Sequence, residues 1–99
     1  MEELLNKCKL LLRICSDDFD EEINDLIKAG FRDLEIAGVI VQSDSGYITG
    51  DDLINRAIGT YVKMHFGEVD EYDRYKSSYD EQKAQLQNST GYTAWIEAE

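Results

Sequence analysis

Asp51–Leu86, DDLINRAIGTYVKMHFGEVDEYDRYKSSYDEQKAQL, decides how this chain folds. In its first half Leu53, Ile54, Ala57, Ile58, Tyr61, Val62 and His65 recur at spacings of three and four, which places them on one face of a 3.6-period helix. That face is expected to be a core face, with His65 a satisfied core or interface residue. In the second half Tyr72, Tyr75, Tyr79, Gln82 and Leu86 keep the same spacing, while Arg74, Lys76, Asp80, Glu81, Lys83 and Gln85 occupy the other sides. Two helices that meet at Gly67 form an αα-hairpin, and the rest of the chain must cover its buried side.

Working toward the N-terminus, Asp51 and Asp52 cap the first of these helices and close a turn-rich loop, Gln42–Gly50. The loop has some likeness to a calcium-binding EF-hand loop. With Gly46 on the obligatory glycine position, however, the first ligand falls on Val41, the third and fifth on Ser43 and Ser45, and the last on Asp52. Too few charged oxygens remain to hold calcium. Val39-Ile40-Val41 before it is β-branched and apolar, but has no sheet to join, and reads as a buried connector.

Upstream of the connector, Phe19, Ile23, Leu26, Ile27, Gly30, Phe31, Leu34 and Ala37 form the core face of a further helix that stops near Gly38. Gly30 inside it marks the close approach of a neighbouring backbone, since glycine there costs about 1 kcal/mol relative to alanine. Ser16 or Asp17 is the expected N-cap, and Asp18 with Glu21 a capping-box variant. Six of the ten residues from Ser16 to Asp25 are carboxylates. The unpaired N–H groups of a helix N-terminus already stabilise such acids, so no metal is needed to account for them. The first helix, from Glu2 to Ile14, carries Leu4, Leu5, Cys8, Leu11, Leu12 and Cys15 in one apolar stripe.

Downstream, Asn88-Ser89-Thr90-Gly91 ends the last helix, and residues 91–99 form a C-terminal tail beyond a single helical domain of residues 1–90. Tyr92, Trp95 and Ile96 in that tail either fold back on the core of their own chain or dock on another subunit or partner.

The chain has 99 residues, of which 42% are hydrophobic, enough for one packed core. Its 21 acidic and 10 basic residues give a formal charge of -11, which disfavours tight binding to nucleic-acid phosphates. The excess acid keeps an oligomer-forming protein soluble before assembly, or it lines a path along which DNA moves without sticking. Cys8 and Cys15 lie roughly 10 Å apart along one helix, too far for an intramolecular disulfide, and a thiol in an apolar stripe is a poor nucleophile. The expectations are reduced thiols, no cofactor, no metal, no membrane span and no enzyme: there is one histidine, no phosphate-binding glycine loop and no nucleophile motif.

Three segments carry a family likeness. Leu10-Leu11-Leu12-Arg13-Ile14 with the acidic cap and Ile23-Asn24-Asp25-Leu26-Ile27-Lys28-Ala29-Gly30 resembles the first helix pair of the small head-tail connector, or adaptor, proteins of tailed bacteriophages and prophages. Asp52 through Val62 is similar to the central helix of that family, and Tyr72 to Tyr79 with Gln82 to Leu86 to its last helix. The resemblance implies an all-α subunit, made in the host cytoplasm, that forms a homo-oligomeric ring at the virion head-tail junction. Its partners there are copies of itself, the portal protein and tail-completion or tail proteins, and DNA passes through without specific binding. The resemblance also implies that the C-terminal segment, here Gly91 to Ile96, contacts neighbours.

A ring needs a heterologous interface, one face against a different face of the next copy. Arg74, Lys76 and Lys83 on the last helix complement Asp17, Asp18, Glu21 and Glu22 in charge, and these residues, with Tyr92, Trp95 and Ile96, are the expected contacts. The competing reading is a small acidic helical protein that mimics DNA and occupies a basic partner.

Overall fold

A computed structural model describes residues 2–43, 46–66, 71–89 and 92. Its described residues form four helices and one minimal hairpin: α1 (Glu2–Leu12), α2 (Asp20–Ile36), β1 (Gln42–Ser43), β2 (Gly46–Tyr47), α3 (Asp52–His65) and α4 (Tyr72–Gln87). This is the all-α bundle expected from the periodicity. The turn expected at Gly67 lies outside the described residues.

Helix α3 is the hub, since α1, α2 and α4 all pack against it. Its Ile54, Ala57, Ile58 and Val62 are fully buried, together with Ile23, Ile27, Phe31 and Leu34 of α2, Cys8 of α1 and Leu86 of α4. Such side chains contribute roughly 1.5–3 kcal/mol each when wholly removed from water, so this one cluster dominates the stability of the domain. Gly30 of α2 faces side chains of α3. A Cβ there would lie 3.1 Å from both Ile58 Cδ1 and Tyr61 Cδ1, so it is side chains of α3, and not a neighbouring backbone, that fill the space.

The helix ends follow local chemistry. Asp51 caps α3 as expected, its Oδ1 accepting from the N–H groups of Leu53 (2.9 Å) and Ile54 (3.1 Å). Helix α2 ends in a Schellman motif, in which the N–H groups of Gly38 and Val39 donate to the carbonyls of Glu35 and Leu34 with Gly38 at φ +93°. Helix α1 closes by the same pattern, Arg13 to Leu10 and Ile14 to Lys9, but the left-handed position is filled by Arg13 at φ 58°. An L-residue in that region costs roughly 1–2 kcal/mol, and no glycine announces the stop in the sequence. The chain therefore leaves the helix after Leu12, and Cys15, expected on the buried stripe, is exposed.

Three further expectations are corrected. Helix α2 starts at Asp20 with Phe19 as N-cap and no side-chain capping bond, so neither Ser16, Asp17 nor the Asp18–Glu21 pair caps it. Ser16 Oγ instead accepts from the N–H of Asp18 at 3.0 Å, a local turn that competes with helical capping. The Gln42–Gly50 segment is a hairpin over its first part, with Gln42 opposite Tyr47 and Ser43 opposite Gly46. Val39 and Val41 are buried as expected of the connector. Finally, His65, expected in the core or at an interface, is exposed and so lies outside the core of its own chain, and Phe19, assigned to the core face of α2, is 45% exposed. Phe19 meets Phe66 edge to face at 5.6 Å, while His65 lies between the rings of Tyr61 and Tyr72 at 4.5 and 6.0 Å. These rings form an aromatic rim at the C-terminal end of α3.

Candidate functional site

The surface charges expected to meet across a subunit contact can be placed one at a time. On α4, Arg74 Nη1 lies 2.9 Å from Glu71 Oε1, one turn back, and Lys76 Nζ lies 2.8 Å from Asp80 Oδ2, one turn on. The hydrogen bond to Asp80 holds the Lys76 ammonium above its ordinary range. Lys83 reaches across to α2, 3.4 Å from Asp33 Oδ2, and sits 5.2 Å from the centre of the Tyr79 ring. Tyr79 donates its hydroxyl to the same Asp33 oxygen. Burial, and then that hydrogen bond, raise the Tyr79 hydroxyl far above the ordinary phenol range, so it stays a neutral donor that ties α4 to α2.

The acidic set lies at the start of α2. Lys9 Nζ of α1 bridges Asp17 Oδ1 (2.8 Å) and Asp20 Oδ1 (2.9 Å), which lowers the Asp17 carboxyl below its usual range, through the hydrogen bond first and the charge second. Asp18, Glu21 and Glu22 are exposed. The two sets thus come from different parts of the fold, and each α4 cation already has a carboxylate of its own chain. The Arg74 and Lys76 pairs are exposed, and pairs of that kind contribute under about 1 kcal/mol, so exchanging one for a neighbour's carboxylate costs little.

Tyr92 rests on its own chain. Its carbonyl accepts from the N–H of Ile40 at 2.7 Å, and its hydroxyl donates to Asp51 Oδ2 at 2.9 Å, the same carboxylate that caps α3. Trp95 and Ile96 lie outside the described residues.

One feature was not legible in the sequence. Between α1, α3 and α4 runs a groove of about 680 Å³ with Leu4, Cys8, Leu11 and Tyr75 along its apolar wall and Lys7, Arg56 and Lys63 among its lining. Leu10, 78% exposed, stands at its edge. The groove exists because three elements of distant sequence converge, and the only local hint was Gly59 in the α3 pattern, which leaves room for Leu11.

Chemically the described residues offer little beyond binding. Among the described residues, no group of three or more His, Cys, Asp or Glu side chains is placed to hold a metal ion, and no helix is long and apolar enough to cross a membrane. Burial pushes the Cys8 thiol up from its ordinary 9.0 to about 11, so it is protonated and unreactive near neutral pH. That shift has a consequence for stability. A thiol whose folded pKa is the higher stabilises the fold fully below its unfolded value and loses that contribution as pH rises through the window. Stability should therefore fall between about pH 9 and 11, with a limiting slope from Cys8 of about 1.4 kcal/mol per pH unit, and Cys8→Ala should remove that slope. Urea titrations at successive pH values measure it; a slope retained in the Cys8→Ala chain would assign the alkaline loss to the tyrosines alone.

No curated protein and no solved structure matches the chain. A family model described as phage connector protein matches residues 4–93, which takes in α1 from Leu4 onward, the other three helices and Tyr92. The expectation drawn from the three helical segments is thereby met, and the chain belongs to the phage connector protein family, a family of structural phage proteins.

Proposed function

We propose that the protein is a subunit of an oligomeric ring at the virion head-tail junction, where it joins the portal of the DNA-filled head to the tail. The observation that carries this reading is the family match over nearly the whole chain. The charge distribution supports it, because cations on α4 and carboxylates at the start of α2 give one copy two unlike faces. In the ring, the face bearing Arg74, Lys76 and Lys83 meets the face bearing Asp17, Asp18, Glu21 and Glu22 of the next copy, a head-to-tail contact that closes by rotation. The remaining acid keeps the wall of the passage from holding DNA, since like charge repels phosphates within about 8–10 Å at moderate salt.

Reversing Lys76 and Lys83 together to glutamate should lower the oligomer mass seen by analytical ultracentrifugation, alone or on isolated portals, while the helical circular dichroism is kept. An unchanged oligomer mass would remove this pairing from the contact. Virions purified without the protein at the junction of capsid and tail would remove the connector role itself.

A further inference from the structure

The groove between α1, α3 and α4 runs straight. Its floor is a stripe of α3, Asp52, Asn55, Arg56, Gly59, Thr60 and Lys63, spaced by three and four residues over about 16 Å, roughly three turns. Leu4, Cys8 and Leu11 of α1 form one wall, and Tyr75, Ser78 and Gln82 of α4 the other. A straight channel of this length with helical walls matches the grooves in which an amphipathic helix lays its apolar face.

The lining sets the chemistry of the occupant. In a protein of net charge -11, Lys7, Arg56 and Lys63 border the groove, against the one carboxylate of Asp52. Lys63 lies over the Tyr75 ring, 5.1 Å from its centre, a contact that leaves the ammonium charged. Among the described residues, no carboxylate comes within ion-pair distance of Lys7 or Arg56. Leu10 and Leu11, 78% and 49% exposed, add hydrocarbon at the edge. Two buried oxygens of the lining, Asn55 Oδ1 and Gln82 Oε1, have no hydrogen-bond partner, and a donor from an occupant would remove that cost.

Among its described residues, a second copy of the chain has no such helix to offer. The exposed large apolar side chains there are Leu10, Leu11, Phe19, Ile36 and Tyr72. The first two belong to the groove itself, Phe19 and Ile36 stand at opposite ends of α2, and Tyr72 is the single one on α4. We propose that the groove docks an amphipathic helix of a different protein, with aliphatic anchors about one turn apart, carboxylates along its flanks and an amide or hydroxyl donor between the anchors. The anchors lie against Leu10, Leu11 and Tyr75, and the carboxylates beside Lys7 and Arg56. None of the charged residues of the ring contact proposed above lines the groove, so the two surfaces are distinct.

The probe is a synthetic helical peptide carrying fluorescein, with leucines at i, i+4 and i+7, a glutamine between them and glutamates on the flanks. Its anisotropy should rise saturably on titration with the full chain, although both molecules are acidic. Lys7→Glu with Arg56→Glu should weaken binding by about tenfold or more, and Leu10→Ser by severalfold. All three side chains are exposed, so circular dichroism and the urea midpoint should be kept. Lys76→Glu with Lys83→Glu should leave the affinity within about twofold, which separates this site from the ring contact. Absence of saturable binding at millimolar concentration, or binding unchanged by the groove variants, would overturn the inference. A lower oligomer mass of the Leu10→Ser chain without peptide would also overturn it, by giving the groove to a second copy.

Discussion

A Phe31→Ala chain should lose about 3–5 kcal/mol of stability. Phe31 is wholly buried, stands beside Ile27 and Leu34 on the buried face of α2, and stacks on Tyr47 with ring centres 4.6 Å apart and planes 18° from parallel. The ring therefore holds two things at once, the α2–α3 layer and the hairpin that leads into α3. Truncation removes its burial and leaves a cavity that a backbone fixed by helices on several sides cannot close. A domain of this size has on the order of 5–10 kcal/mol in total, so the variant should unfold at a much lower urea midpoint and populate its unfolded state at physiological temperature. A loss no larger than the roughly 0.5 kcal/mol of a surface substitution would place the ring outside the core.

Asp51→Ala should cost about 2 kcal/mol, the upper end for an N-cap, because its carboxylate serves two structures. One oxygen accepts from Leu53 and Ile54 at the start of the hub helix, and the other accepts the Tyr92 hydroxyl. The same hydrogen bond holds the Tyr92 hydroxyl above its ordinary range. Tyr92→Phe removes only the second contact and should give a smaller loss. Urea midpoints of the two single variants and the double variant form a cycle that measures the coupling. If the double variant lost the sum of the two single losses, Asp51 and Tyr92 would be energetically independent.

The parts of this fold that could be read from sequence are those decided within a few residues. Helical spacing located the buried faces of α3 and α2, the acid before Leu53 located a cap, and Gly38 located a left-handed stop. The parts that could not be read are those decided by distant groups. Asp17 is drawn to Lys9 instead of to backbone N–H groups, and Phe19 to Phe66, which moves the start of α2 to Asp20. Arg13 takes a conformation that glycine usually marks, so the end of α1 was hidden. Strands of two residues are too short to show alternation. His65 fits the apolar period but falls at the last residue of α3, where the aromatic rim lies open to solvent. The charged residues of the candidate contact were legible as composition on helix faces. The groove was not, because no single element contains it.

The hairpin has one more consequence. With β1 and β2 only two residues long, the described part of the chain offers almost no free main-chain ladder to which a foreign strand could be added. An added strand thus finds little to pair with among the described residues, and in the ring proposed above the contacts between copies fall to side chains on rigid helices. The infrared amide I band should accordingly be the same before and after the subunits come together.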